Sequence, residues 1–253
     1  TFSAVSTTTA FTIEGKATGD NRVSVKALKP GVGPNPLALA FQGELEKGIN
    51  FDSFTGIKDQ GFVQLYNGYY GLNWNFMGAI DYRYYVDREG IDGTGVGYYT
   101  GMESENQVAY TFPVPDEEVI PSIWSKIPFS VTSGFFTAAW STGMTLTLRG
   151  YVAVGEEDPL VGGELVGEYV MNLGAPRDGS VLITLPKGFD NINRFEIEST
   201  GGDNDETLGC NAPAAYCRQV VIDNLAITGE GIVPKAGDLL LGCGIKCGTD
   251  VLL

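Results

Sequence analysis

Apolar and polar side chains alternate over short stretches along most of this chain. That period-two pattern marks half-buried strands, and no segment shows the spacing of an amphipathic helix. Residues 10–14 (AFTIE) and 22–26 (RVSVK) alternate in this way, and Gly19, Asp20 and Asn21 between them predict a hairpin turn. Residues 30–36 (PGVGPNP) read as a loop, and 37–46 as a further strand. Residues 50–57 (NFDSFTGI) are short, alternating and stopped by glycine, hence another strand. Residues 87–97 are rich in Gly and Asp and predict a loop, 108–112 a strand, and the acidic, proline-containing 116–126 a loop with at most one helical turn.

The clearest strands follow. Residues 135–140 (FFTAAW) and 144–154 (MTLTLRGYVAV) flank a turn at 141–143. Residues 164–173, 180–185 and 194–199 continue at regular spacing, 200–215 read as a long acidic loop, and 218–228 (RQVVIDNLAIT) as a long strand. Short strands separated by turn signals predict an all-β chain folded as a β-sandwich or jelly-roll. One domain is expected, with a core over 45–229, an N-terminal β-hairpin extension in 1–44 and a cysteine-containing tail in 230–253.

Composition sharpens this picture. In 253 residues, 43% are apolar and only 19% charged, enough to build a sizeable core. The 35 glycines suit many tight turns. A net charge of −15 with only 16 Lys and Arg argues against nucleic acid and against an anionic membrane surface as partners. No run of apolar residues is long enough for a membrane-spanning helix. The first residue is Thr1, so a mature, secreted, extracellular product is expected. Cys210, Cys217, Cys243 and Cys247 allow three pairings, and proximity favours Cys210–Cys217 and Cys243–Cys247 as local disulfides. A four-thiolate zinc site is the rival reading.

Histidine is absent, which removes the usual Ser-His-Asp and Cys-His nucleophiles and all histidine-ligated metal sites. Carboxylate chemistry remains. Asp81, Asp87, Glu89, Asp92 and Glu103 supply candidates for the two carboxyls of a polysaccharide hydrolase or lyase, and solvated turn residues are the simpler reading. Asp203, Asp205 and Glu206 form a second acidic cluster, a weak Ca²⁺ motif. Asp52 and Asp223 each sit among apolar residues of a strand, where a carboxylate needs a partner. If the two meet at one sheet edge, a structural Ca²⁺ would satisfy both.

The densest feature is aromatic. Eight of the twenty residues from 66 to 85 are Tyr, Trp or Phe, interleaved with Gly and Asn. Alternation turns Trp74 and Phe76 inward and leaves Tyr66, Tyr70, Tyr82 and Tyr84 as candidates for a surface or groove. Rings with polar tips suit hydroxyl-rich ligands. Tyr66, Tyr69, Tyr70, Trp74, Tyr82 and Tyr84 are therefore candidate stacking residues, with Asn67, Asn73 and Asp81 as polar contacts.

Four segments carry a resemblance: NGYYGLNWNF at 67–76, GMESENQVAY at 101–110, FFTAAWSTGMTLTLRGY at 135–151 and VVIDNLAI at 220–227. In this order they resemble secreted fungal and bacterial proteins of uncharacterised function that share an NGYxGLNW … AAW … DNL pattern. The resemblance spans about 51–228. It implies a jelly-roll similar to carbohydrate-binding modules and galactose-binding-like domains, and it brings no catalytic residues. The expected function is non-catalytic binding of a polysaccharide, glycan or cell-wall surface; the alternatives are the carboxylate enzyme and an extracellular structural or host-interaction protein.

Overall fold

The structure is a computed structural model that describes residues 2–5, 10–18, 22–27, 48–54, 57, 61–86, 93–112, 119–155, 158–210, 212–230 and 232. Residues 30–46, the carboxylates Asp87, Glu89 and Asp92, and the pair Cys243 and Cys247 lie outside the described residues.

β1 (Phe2–Val5), β2 (Ala10–Thr18) and β3 (Arg22–Ala27) form a small antiparallel sheet in chain order. β2 and β3 are the expected hairpin, with Ile13 opposite Ala27 and Thr18 opposite Arg22. β1 adds a strand on the other side of β2 that the pattern did not announce.

The main body is a β-sandwich. Its strands are β4 (Gly48–Ile49), β5 (Phe62–Gln64), β6 (Asn73–Asn75), β7 (Met77–Asp81), β8 (Gln107–Thr111), β9 (Ser122–Ala138) and β10 (Ser141–Val152). They continue with β11 (Glu164–Asn172), β12 (Val181–Thr184), β13 (Ile192–Asn204) and β14 (Val220–Thr228). One layer runs β12-β9-β14-β8-β7-β5, with β4 also against β14; the other runs β11-β10-β13-β9-β6. Every pairing is antiparallel.

β9 belongs to both layers. Its first residues, Ser122 to Trp124, pair with β13 and β6, and its second half pairs with β14 and β12. The change occurs through an irregularity in which Trp124 faces Arg194 but Phe129 already faces Ile192. Pro128 falls inside that irregularity, where a missing N–H costs no ladder bond. Residues 122–126, expected in a loop, are thus strand.

β6 and β7 make a second crossing. Phe76 between them has φ +53°, and the chain passes from one layer to the other there. Three further expectations are corrected. Residues 50–54 bend instead of forming a strand, with Phe51 at φ +62°. The turn expected at 141–143 lies at 139–140. The acidic segment from 200 continues as β13 to Asn204, followed by short 3-10 turns at Glu206–Leu208 and Ala214–Cys217.

The core lies between the layers. Met144, Leu146 and Leu148 of β10 and Phe195 and Ile197 of β13 meet Phe136, Val131, Ile222 and Leu225 from the other sheet. A second cluster covers the outer face of the β8 layer, where Val108, Tyr110 and Val221 pack with Tyr98, Trp140, Leu208 and Cys217. There are two short helices, α1 (Arg83–Val86) and α2 (Gly97–Thr100), among the described residues, and α2 contributes Tyr98 to this cluster. Among the described residues no helix is long and apolar enough to cross a membrane.

Candidate functional site

The aromatic block folds into a turn with two fates for its rings. From Tyr66 to Leu72 the backbone closes on itself: Gly68 N–H donates to Leu72 O, Tyr69 N–H to Tyr66 O, and Leu72 N–H to Tyr69 O. Gly68, Tyr70 and Gly71 all take positive φ, a conformation glycine accepts without strain. This tight reversal drives Tyr69 and Tyr70 inward and throws Tyr66 outward. Tyr69 is 0% exposed, Tyr70 5% and Trp74 3%, whereas Tyr66 is 49% exposed.

Tyr69 sits at the centre of a buried ring cluster, edge-on to Tyr70 at 4.8 Å and to Trp74 at 5.7 Å, and close to Phe51 and Phe54. The Trp74 indole N–H donates to Tyr69 O at 2.9 Å. Tyr70 is therefore core and not surface, and Tyr69 and Trp74 cannot present ring faces for stacking. Tyr66 leans edge-on against Tyr69 at 5.7 Å, which braces the exposed ring.

Tyr66 forms one wall of an open groove of about 420 Å³. Gln64, Leu65, Asn67, Trp74 and Asn75 line it from the segment 64–75, and Trp124 and Leu160 line it from elsewhere in the chain. Asn67 accepts the Trp74 backbone N–H through Oδ1, and Asn73 donates to Trp124 O. Asn73 thus ties β6 to β9 instead of facing a ligand. Among the described residues the side-chain amides of Gln64 and Asn75 have no hydrogen-bond partner.

Trp124 is the functional candidate that sequence reasoning missed. It is half-buried, on the outer face of its sheet, with Asn73 on one side and Arg194 on the other. Arg194 in turn holds the loop that delivers Leu160. Its Nη1 donates to Pro159 O and Gly162 O, both at 2.8 Å, its Nε lies 2.9 Å from Glu196 Oε1, and its guanidinium sits 4.1 Å from the Tyr151 ring centroid. Burial and the neighbouring Glu196 carboxylate push the Tyr151 phenol above its ordinary range.

The remaining candidates lie elsewhere and do not line the groove. Asp81 is fully buried and ion-paired with Arg83. Tyr82 is half-buried, edge-on to Tyr99 at 5.3 Å, and Tyr84 packs so closely over Gly61 that a Cβ there would lie 2.7 Å from its ring. Asp205 caps the turn at Glu206–Leu208, accepting the Thr207 N–H.

Asp52 and Asp223 do converge, on one loop. Asp223 accepts the N–H groups of Glu103 and Ser104, both at 2.7 Å, the Ser104 hydroxyl at 3.1 Å and its neighbour Asn224 N–H. Asp52 accepts the N–H groups of Glu105, Asn106 and Gln107 at 2.9–3.0 Å. Five backbone N–H groups of residues 103–107 thus serve the two carboxylates, and the Ser104 hydroxyl and the Asn224 N–H add to them at Asp223. Burial pushes the Asp223 carboxyl up to about 7 against those donors, with the Asp52 charge adding to the rise. No group of three acidic or cysteine side chains that could hold a metal occurs among the described residues. Cys210 and Cys217 form the expected disulfide.

No protein-family model matches the chain, and no curated protein does. Two solved structures resemble it in shape. A DUF4465 family protein from Bacteroides caccae ATCC 43185 is 8% identical with a TM-score of 0.42, over 61% of this chain and 73% of that one. The carbohydrate-binding module TmCBM61, solved in complex with β-1,4-galactotriose, is 8% identical with a TM-score of 0.29, over 66% of this chain and 98% of that one.

Proposed function

We propose that this protein is a secreted, non-catalytic glycan-binding protein and that the groove beside β6 is its binding site. The lining carries the reading: two rings reached by solvent, Tyr66 and Trp124, stand beside the carboxamides of Gln64, Asn67 and Asn75. A sugar ring has apolar C–H faces and a rim of hydroxyls. Aromatic faces take the first, and carboxamides, donor and acceptor at once, take the second. Trp74, itself buried, serves as the floor. The Cys210–Cys217 disulfide supports an oxidising, extracellular location.

Among the described residues the groove lining includes no carboxylate. A glycoside hydrolase sets two carboxyls about 5–9.5 Å apart across its substrate. Asp81 is held by Arg83, and Glu103 accepts a hydrogen bond from Ser180, so neither points to such a pair.

The test is affinity electrophoresis and calorimetry against a panel of cellulose, chitin, glucans, galactans, mannans, xylans and pectins. Trp124→Ala and Tyr66→Ala are each expected to cost about 1–2 kcal/mol, a five- to thirtyfold loss. A protein that binds nothing in the panel, or whose binding survives both substitutions, overturns the proposal.

A further inference from the structure

Resting on the glycan-binding reading, we infer that the groove selects uncharged glycans and rejects uronate-bearing and sulfated chains. The reason lies in the kinds of hydrogen-bonding group on its walls and in the charges around it.

Besides the donor-only indoles of Trp74 and Trp124, the polar side chains among the described lining residues are Gln64, Asn67, Asn75 and the Tyr66 phenol, each able both to donate and to accept. A sugar hydroxyl also does both, so each contact can form in either sense. A carboxylate or sulfate only accepts. Binding one here would take an anion out of water with no cation among the described lining residues to compensate, and an unpaired anion is costly to desolvate.

Among the described residues, the buried cation beside the groove is already committed. Arg194 stands in register beside Trp124, yet it is buried, paired with Glu196, and bonded to the carbonyls of Pro159 and Gly162. It serves the groove by holding the loop that carries Leu160. Lys126, two residues beyond Trp124, is exposed and is not part of the lining. On the opposite side Asp158 is exposed, and its carboxylate accepts the Leu160 backbone N–H, which places an anion at the lip.

The long-range field points the same way. The chain carries −15, so a polyanion approaches against repulsion that is strongest at low salt, when screening reaches furthest. An uncharged chain feels none of this. Its binding should therefore be nearly independent of ionic strength.

The experiment compares uncharged oligosaccharides of glucose, galactose, mannose and xylose with polygalacturonate, alginate and a sulfated galactan. Each is measured by calorimetry at about 20 mM and about 500 mM NaCl, with wild-type protein and Trp124→Ala. The expected result is binding of at least one uncharged series, changed less than about twofold by salt and weakened about five- to thirtyfold in Trp124→Ala, with no binding of the three acidic polymers. Binding of an acidic polymer that Trp124→Ala weakens to the same degree overturns this inference and leaves the glycan site standing. Binding of nothing, or binding of any kind insensitive to Trp124→Ala, overturns the glycan reading itself and this inference with it.

Discussion

Arg194→Met removes the side chain that ties three parts of the sandwich together. The guanidinium donates to two loop carbonyls at 2.8 Å, pairs with Glu196 at 2.9 Å and lies over Tyr151. The side chains of Arg194 and Glu196 are 7% and 12% exposed, which decides the class of effect. An exposed ion pair is worth at most about 1 kcal/mol. Removing one partner of a buried pair costs about 3–5 kcal/mol, because the other charge stays behind without compensation. The expected loss for Arg194→Met is therefore about 3–5 kcal/mol in urea unfolding. Arg194→Met combined with Glu196→Met should lose less than the single change, since no orphaned anion remains. Releasing the carbonyls of Pro159 and Gly162 also frees the segment carrying Leu160, so glycan affinity should fall under conditions where the variant stays folded. A single-variant loss under about 1 kcal/mol, or a double variant no better than the single, would refute the reasoning.

Asp223→Asn tests the buried carboxyl. Its folded pKa of about 7 stands above the ordinary 3.8, so its contribution to stability is complete below about pH 4 and lost as pH rises through 7. Wild-type protein should thus lose stability relative to Asp223→Asn between about pH 4 and pH 8, and parallel urea-midpoint curves would count against it. Cys210 and Cys217 close a short loop with a separation of 7 residues, so replacing both by Ser should cost about 2–3 kcal/mol without unfolding the chain; a change below about 0.5 kcal/mol in urea titrations would contradict the role assigned to the bridge. Gly97→Ala would put a Cβ 2.0 Å from Ala138 O and 2.8 Å from Ala139 Cα, backbone that cannot swing aside. A loss of about 2 kcal/mol or more is expected, and a variant as stable as wild type would show that α2 does not dock where it is placed.

The strands were legible where one face meets the core and the other meets solvent. Residues 144–154 alternate because Leu146 and Leu148 point inward while Thr145 and Arg149 point out, and the strand β10 results. The same rule located β2, β3, β8, β11, β12 and β14. It failed at 50–54, where NFDSF alternates but bends. There Asp52 collects three backbone N–H groups from 105–107, and that non-local demand outweighs local strand preference. It failed again at 122–126, the end of a stretch that proline and acidic composition had marked as a loop. A strand that changes sheets can hold a proline within its irregularity, and β9 does so at Pro128.

The site was half legible for a related reason. A cluster of rings announces itself in a sequence, but composition does not say which ring escapes the core. In this chain the choice belongs to the turn. With Gly68, Tyr70 and Gly71 at positive φ, the reversal after Tyr66 is tight enough that Tyr69 and Tyr70 fold beneath it, and Tyr66 alone of those three stays out. The second solvent-facing ring comes from β9, 58 positions further on, through antiparallel pairing with β6 that sets Asn73 against Trp124. No local pattern links 66 to 124; only strand register does. Asp52 and Asp223 show the complementary case. Physical cost alone foretold that both needed partners, and they have them, chiefly amide groups of a single loop. A carboxylate inside a sheet demands positive partial charge, and backbone N–H groups arrayed along a loop supply it as well as an ion does. Sequence reasoning could state the demand because desolvation is local; it could not name the supplier because the supplier is fixed by topology.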